Sequence, residues 1–283
     1  MIKFSRADAE LYIPDGAEPQ AALASTTHLA ISAHQDDIEI MAYGGALECF
    51  GRKDKRFSAA VVTNGAGSPR DGLYADYTDE QMQAIRRVEQ KKAAMLGDYA
   101  ACALLNHPSS VVKNGNAREV IEDVKALVLA TKPKVLYTHN PADKHDTHVA
   151  VLLRVIAALR ELDPADRPER LYGCEVWRSL DWLNDDEKTV FDVSGHPALG
   201  MALLGVFDSQ VAGGKRYDLA SAGRRVANAT FYASHGVDTM DAAIYGLDLT
   251  SLMEGGDVQE YIQGYIDRFA SDVKKRIQAM SAK

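Results

Sequence analysis

His28-Leu-Ala-Ile-Ser-Ala33-His34-Gln-Asp-Asp37 is the stretch of this chain in which a short apolar run meets a polar cluster. The apolar part is rich enough in β-forming residues to be a buried strand. Residues 38–49, small and apolar with two glycines, predict a helix packed closely on a sheet, and residues 57–63 predict a second strand. This order predicts the start of an α/β sheet.

Strands and helices continue to alternate as far as residue 177. Further strands are predicted at 101–105, 134–138 and 171–176, and further helices at 79–96, on the apolar face from Val120 to Val128, and at 149–162. Helix 79–96 has the clearest ends, because Thr78 with Gln81 forms a capping box and Gly97 is a natural stop. The alternation predicts a Rossmann-like parallel sheet flanked by helices, with right-handed crossovers.

The last third of the chain has fewer strand signals. We expect one domain over 1–283, in which 28–177 form the sheet core and 178–283 a more helical C-terminal subdomain. Helices are predicted at 198–207 and 220–233, followed by a long amphipathic helix with an apolar stripe from Val258 to Ile277. That stripe would pack on the main body or on a second subunit, so a homo-oligomer is left open.

The composition limits the possible partners. The chain has 40 acidic against 32 basic residues, a formal net charge of -8 and no basic block, which argues against nucleic acid or an anionic membrane as the main partner. No run is long and apolar enough to span a bilayer. Residues 1–6 carry charges where a signal peptide needs apolar residues, and Cys49, Cys102 and Cys174 form no CxxC pair, so we expect a reducing cytoplasm.

Two polar clusters follow predicted strands, one at 34–39 and the other at 139–148. In an open parallel sheet, ligands bind beyond the carboxyl ends of the strands, which is where both clusters fall. A catalytic zinc site needs three nitrogen or carboxylate ligands and one open position, and His34, Asp37 and His148 would supply the ligands. Asp36, beside a ligand, is a candidate to take a proton from water. Taken singly, each cluster is also compatible with a solvated turn or a polar helix start.

These clusters resemble the two motifs of the PIG-L or LmbE-like deacetylase family, which removes N-acetyl groups from glucosamine-containing compounds. The family motif Ala-His-Pro-Asp-Asp-Glu is similar to residues 33–39, with Gln35 in place of proline and the acidic residue one position later. The motif Pro-x-Asp-x-His-x-Asp-His is similar to residues 141–148, with Thr147 in place of the second aspartate.

The resemblance implies an LmbE-like fold and one Zn²⁺ per chain, held by His34, Asp37 and His148. It further implies that Asp36 is the general base and that His145 stabilises the oxyanion or protonates the leaving amine. Asp143 would orient His145, because a carboxylate beside an imidazole fixes its tautomer.

Weaker likenesses lie between and beyond the motifs. Thr63-Asn64-Gly65-Ala66 and the Arg86-Arg-Val-Glu89 segment resemble a family turn and helix, and they make Asn64 and Arg86 candidates for substrate binding, although the usual acids are lost at Asn64 and Ala66. Phe207-Asp-Ser-Gln210 resembles a Ser-Gln element, so the likeness spans roughly 28–210. Arg86 is equally compatible with an exposed helix position, where it would pair with Glu89 or Gln90.

Isolated residues carry weaker expectations. Arg70 is expected to be solvated, and the lone histidines His107, His196 and His235 are expected in core, cap or surface roles. The glycines at 65 and 67 do not complete a nucleotide-binding loop.

The sequence therefore predicts a zinc-dependent N-deacetylase acting on a small amino-sugar conjugate. Two alternatives stay open: a non-catalytic carbohydrate-binding protein that has kept the fold, and an amidase that cleaves a larger conjugate.

Overall fold

The computed structural model describes residues 2–281 as a mixed α/β fold built on one eight-stranded sheet. Within these residues the strands β1 to β8 are Glu10–Tyr12, His28–Ser32, Phe57–Thr63, Ala101–His107, Val135–His139, Arg170–Cys174, Thr189–Asp192 and Ala243–Asp248. Their spatial order is β1-β4-β3-β2-β5-β6-β8-β7. The five central strands run parallel, while β1, β8 and β7 pair antiparallel at the two edges. The predicted α/β sheet with flanking helices is confirmed, with antiparallel edges as an addition.

The last third of the chain, predicted to be more helical and poor in strands, also contributes strands to the sheet. Strand β8 pairs with both β6 and β7, so residues beyond 178 complete the same sheet. The hydrogen bonds of these short strands come from partners distant in sequence, and the pattern within four to six residues gives only a weak local signal.

Helices cover both faces of the sheet. In the described residues α1 to α11 are Pro19–Ala24, Asp37–Met41, Tyr43–Cys49, Asp79–Leu96, Ser109–Lys113, Arg118–Thr131, Asp146–Arg160, Pro197–Gly205, Asp208–Val211, Tyr217–Phe231 and Val258–Met280. Single 3-10 turns lie at Gly72–Tyr74, Pro164–Asp166, Asp185–Glu187 and Thr250–Met253. Helix α4 has the predicted bounds and both hydrogen bonds of its capping box.

The single helix predicted at 38–49 is divided into α2 and α3. Ala42 leaves the helical region, with φ of -112° and ψ of 15°, so the chain changes direction between the two. Helix α3 then brings Gly45 against the ring of Tyr137, where a Cβ atom would lie 2.5 Å from Cε2. The two glycines predicted to allow close packing have that role at least at Gly45.

The buried strands divide their side chains between two apolar layers. Leu29 and Ile31 of β2 pack with α6 and α7 on one face, and Ala30 packs with α2, α3 and α4 on the other. This alternation is expected for strands covered on both faces. The three cysteines are buried and free.

The C-terminal helix α11 uses only part of its apolar stripe. Val258, Ile262 and Tyr265 pack against the main core, whereas Phe269 and Ile277 are 38% and 62% exposed. No helix in the described part of the chain is both long and apolar enough to cross a bilayer.

The position of the site follows from the strand order. The chain passes from β2 outward to β3 and β4, then returns to place β5 on the other side of β2. Strands β2 and β5 are therefore parallel neighbours at a topological switch point. Their carboxyl ends bring the two polar clusters of the sequence to one crevice.

Candidate active site

The first cluster occupies the tight connection between β2 and α2. Asp36 has a φ of 89°, in the left-handed region that non-glycine residues seldom adopt, and its backbone N–H donates to Gln90 Oε1 at 3.3 Å. Asp37 is the first residue of α2, and its Oδ2 accepts from the backbone N–H of His34 at 2.7 Å. The strained turn thus directs two adjacent aspartates to different neighbours.

The second cluster forms the start of α7. His145 is the N-cap residue, and its Nδ1 accepts from the backbone N–H of Thr147 at 3.3 Å. His148 lies one turn further along and is fully buried. Because Nδ1 of His145 is an acceptor here, its proton resides on Nε2.

His34, Asp37 and His148 meet in a small triangle of donor atoms. His34 Nδ1 lies 3.2 Å from Asp37 Oδ2 and 3.2 Å from His148 Nε2, and His148 Nε2 lies 3.3 Å from Asp37 Oδ2. Ligand atoms bound about 2.0–2.1 Å from a tetrahedral zinc ion stand about 3.3 Å apart. The three predicted ligands therefore have the spacing that a tetrahedral metal ion requires.

The charges around His148 also favour a cation at this position. Burial lowers the pKa of His148, but the carboxylates of Asp37 and Asp143 outweigh it and raise that pKa to about 9. Burial would raise the pKa of Asp37, and His148 and His34 reverse the effect, holding it well below its usual value. The pocket thus stabilises a positive charge between its carboxylates, as a metal site must.

His139 begins the second polar cluster, but the sequence analysis assigned it no role in the site. It is the last residue of β5, fully buried, and its ring stacks on His148 at a centroid distance of 3.9 Å. Its Nε2 accepts from the backbone N–H of Ala33 at 2.8 Å, so that lone pair is already used. His139 therefore supports the ring of His148 and ties β5 to the end of β2. Its position at the carboxyl end of a strand was the available signal.

Asp143 differs from the prediction that it orients the ring of His145. Its Oδ2 faces Nδ1 of His148 at 3.5 Å and accepts from the backbone N–H of Trp177 at 3.1 Å. Its Oδ1 accepts from the backbone N–H of His145 at 3.0 Å, so it holds the main chain of that residue and not its imidazole. A carboxylate behind a histidine in this way fixes its tautomer and increases its basicity as a ligand.

Arg86 is buried, contrary to the alternative of an exposed helix position. Its side chain is 4% exposed and donates to the backbone carbonyl of Gln35, to Ser68 Oγ and, at 3.2 Å, to Asp36 Oδ2. Burial raises the pKa of Asp36 well above its usual value, and the Arg86 guanidinium opposes that shift. Arg86 thus holds the strained turn and partners the carboxylate of Asp36.

The residues predicted from the weaker likenesses have mixed outcomes. Asn64 does not line the cavity described below, and its Oδ1 accepts from the backbone N–H of Ala66. Arg70 is partly buried and not simply solvated, because it donates to the Ala66 carbonyl and to Asp79. Ser209 donates from its backbone N–H and its hydroxyl to Glu89, which fastens α9 to α4.

The lone histidines lie outside the site. His107 is buried and pairs with Asp123 at 2.8 Å, His196 precedes α8 in a left-handed conformation, and His235 is exposed. These are the core, cap and surface positions that the sequence predicts.

A cavity of about 840 Å³ opens beside the triangle of His34, Asp37 and His148. His34, Asp36, Asp37 and His145 form part of its wall, and Trp177 lies beside His145 with ring centroids 6.4 Å apart. Burial and the neighbouring His148 and His34 lower the pKa of His145 to about 4. The cavity has the size of a small-molecule site, for which about 300–1,000 Å³ is usual.

Residues 29–159 match the family model described as "PIG-L: GlcNAc-PI de-N-acetylase". Over this segment the chain is similar to the PIG-L family. The matched segment contains all three residues of the triangle, together with Asp36, Asp143 and His145.

One curated relative is similar to part of the chain. The Escherichia coli (strain K12) protein named "Uncharacterized deacetylase YaiS" is 29% identical over 136 residues, which cover 47% of this chain and 68% of that protein.

Solved structures share the fold at low sequence identity. N,N'-diacetylchitobiose deacetylase from Pyrococcus horikoshii has a TM-score of 0.63 and 17% identity, covering 80% of this chain and 85% of its own. GalB, the 4-carboxy-2-hydroxymuconate hydratase from Pseudomonas putida KT2440, has a TM-score of 0.59 and 14% identity, covering 79% and 96%. Because a deacetylase and a hydratase share this fold, the reaction has to be argued from the site.

Proposed function

We propose that this chain is a metal-dependent N-deacetylase that hydrolyses the N-acetyl amide of a small amino-sugar conjugate. The observation that carries the proposal is the triangle of His34, Asp37 and His148, with edges of 3.2–3.3 Å. Two of its members, His34 and Asp37, line a cavity that Asp36 also lines. Zinc suits this set of two imidazoles and one carboxylate, with one such ion per chain.

The ion, when bound, polarises a carbonyl and lowers the pKa of water. The residues of the chain would then supply the proton transfers. Asp36 is adjacent to a ligand and turned away from the triangle toward Arg86, so its carboxylate is suited to take a proton from attacking water.

His145 is suited to stabilise the oxyanion or to protonate the leaving amine. Its Nδ1 accepts from Thr147, which leaves Nε2–H as a donor in a residue that lines the cavity. That donor would stabilise the developing oxyanion or pass a proton to the departing amine. Water adds to the acyl carbon, the C–N bond breaks, and the products are acetate and the free amine.

The two departures from the family motifs, Gln35 and Thr147, replace none of the residues of the triangle. Gln35 packs over Gly65 and donates to the Thr63 carbonyl at 3.2 Å, so it replaces no ligand. Thr147 also stands outside the triangle, although its backbone supports His145. This argues against the alternative of a protein that only binds carbohydrate. An amidase for larger conjugates is distinguished by the acyl panel described next.

The test compares wild type with Asp36→Asn. Metal content is measured by elemental analysis, and amine release is followed with N-acetyl, N-butyryl and longer N-acyl glucosaminides. Asp98→Asn is a matched control, since Asp98 also has a positive φ of 55° but lies outside the cavity. We expect metal in all three proteins and a roughly 10²–10⁴-fold slower release only in Asp36→Asn.

Two results would contradict the proposal. One is a protein that takes up no divalent metal after reconstitution, or whose uptake does not need His34 and His148. The other is an Asp36→Asn variant that releases amine at the wild-type rate.

A further inference from the structure

We propose that the substrate carries an anionic group, a phosphate or a carboxylate, which Lys144 and Lys215 bind beside Trp177 at the rim of the cavity. The inference rests on the proposed function, because the rim belongs to the same cavity and the anion would be part of the same small molecule.

The cavity has the opposite charge balance from the chain. The chain has a formal net charge of -8, yet the only acidic residues that line the cavity in the described structure are Asp36 and Asp37. Six basic residues line the same cavity: Arg86, Lys113, Lys144, Lys215, Arg216 and Arg224. A cleft lined by one sign of charge concentrates ligands of the opposite sign.

The arginines of this set already have partners. Arg86 pairs with Asp36, Arg216 pairs with Asp218 at 2.8 Å, and Arg224 donates to the backbone carbonyl of Val176. Lys113, Lys144 and Lys215 form no ion pair with any carboxylate of residues 2–281. The unneutralised charge of the cavity is therefore on lysines.

Two of these lysines converge on one aromatic ring. Lys144 Nζ lies 5.9 Å and Lys215 Nζ 5.1 Å from the centroid of Trp177, although they come from different loops, one before α7 and one before α10. Cation–π contacts of this kind contribute modestly, and here they place two ammonium groups next to one ring, neither of them paired with a carboxylate. An anionic group bound at this ring would supply the counter-charge that these lysines lack.

The ring itself is held firmly next to the reacting centre. The backbone N–H of Trp177 donates to Asp143, which in turn faces the ligand His148, and Tyr217 packs edge-on against the indole at 5.9 Å. Trp177 also neighbours His145. An anion at this ring and an amide at the triangle are close enough to belong to one conjugate in a cavity of about 840 Å³.

The experiment compares three N-acetylglucosaminides that differ in the charge of the aglycone. They are the methyl glycoside, which is neutral, the carboxymethyl glycoside, and N-acetylglucosamine 1-phosphate. Each is assayed with wild type, Lys144→Gln, Lys215→Gln and the double variant. Lys53→Gln is the matched control, because Lys53 is exposed in the loop that leads into β3, away from the cavity.

We expect kcat/KM of the anionic substrates to exceed that of the methyl glycoside and to fall about three- to tenfold with each lysine substitution. The effect should appear in KM and should weaken with added salt. Hydrolysis of the neutral methyl glycoside should change neither with the lysine substitutions nor with salt. A larger effect on the phosphate than on the carboxymethyl substrate identifies phosphate as the group, and the reverse identifies carboxylate. Equal rates for all three substrates, unchanged in the double variant, would overturn the inference and leave the deacetylase proposal standing.

A binding measurement separates the two proposals if no substrate releases amine. In a Trp182→Phe background the fluorescence reports Trp177, since the chain has two tryptophans. A saturable change on titration with methyl phosphate or propionate that is lost in the double lysine variant would support the anion site independently of catalysis. Absence of any saturable change with either probe would refute the proposed anion site.

Discussion

Replacing Arg86 by methionine should be among the most destabilising single changes in this chain. The substitution keeps an apolar stem of similar length and removes the guanidinium. Arg86 and Asp36 have side chains that are only 4% and 6% exposed, so the carboxylate would be left buried without its cation. The carbonyl of Gln35 would lose a donor as well.

The magnitude follows from this burial. Breaking a buried ion pair by removing one partner costs about 3–5 kcal/mol, and an orphaned buried carbonyl adds about 1 kcal/mol or more. Part of the first cost would be avoided if Asp36 takes up a proton, so we expect a net loss of about 3–4 kcal/mol. The free energy of unfolding of a typical domain is about 5–15 kcal/mol, so this loss would be easy to measure.

The assay is urea unfolding in the presence of a chelator, so that metal binding does not contribute to stability. Wild type, Arg86→Met, Asp36→Asn and the double variant form a double-mutant cycle, from which we expect a coupling of about 2 kcal/mol or more. Arg276→Met is the control, because its pair with Asp272 has side chains 77% and 41% exposed and should change stability by about 0.5 kcal/mol or less. A loss below about 1 kcal/mol in Arg86→Met, with no coupling, would refute this reasoning and favour a peripheral role for the residue.

Three further changes test other parts of the structure. Burial lowers the pKa of His28 below 6.5, so the unfolded chain takes up a proton at a higher pH than the folded protein. Wild type should therefore lose stability below about pH 6.5 more steeply than His28→Gln, as measured by urea unfolding at several pH values. Gly45→Ala would set a Cβ atom 2.5 Å from Tyr137 Cε2 and should cost about 1–3 kcal/mol in thermal unfolding. Asp143→Asn should weaken metal binding about 10–100-fold in a chelator competition, because His148 loses the carboxylate behind it.

Each of these three has a clear opposing result. Parallel pH profiles of the two His28 proteins would show that the group does not titrate differently on folding. Gly115→Ala is the control for Gly45→Ala, since a Cβ atom there meets nothing within 4 Å, and equal stabilities of the two variants would refute the packing argument. Unchanged metal affinity in Asp143→Asn would mean that Asp143 supports only the main chain of Trp177 and His145.

Local signals were sufficient for some parts of the molecule. Helix α4 could be bounded because Thr78 and Gln81, three residues apart, form its capping box. Strand β2 could be predicted because it has an apolar centre and is buried along its whole length. The proximity of His34 and Asp37 to His148 was also predictable, because both clusters follow parallel strands and so share one edge of the sheet.

The missed features depend on contacts between distant segments. His139 joins the site because β5 lies next to β2, so its position at the end of a strand gains a role only through that pairing. The burial of Arg86 depends on a turn 50 residues away in the chain. The family resemblance implied that Asp143 orients His145, but the fold directs its carboxylate toward His148. Edge strands were missed because they depend on pairing more than on their own pattern.

The two edges of the sheet determine how far the chain can be shortened. At one edge β1 has three residues, and at the other β7 has four, so each exposes few unpaired backbone groups. Behind β1 lies β4, whose seven residues are all buried. Removing the first dozen residues would turn this long apolar strand into an open edge, a ready template for pairing with other chains. The expected result is self-association through the sheet, a much larger effect than the loss of three paired residues suggests.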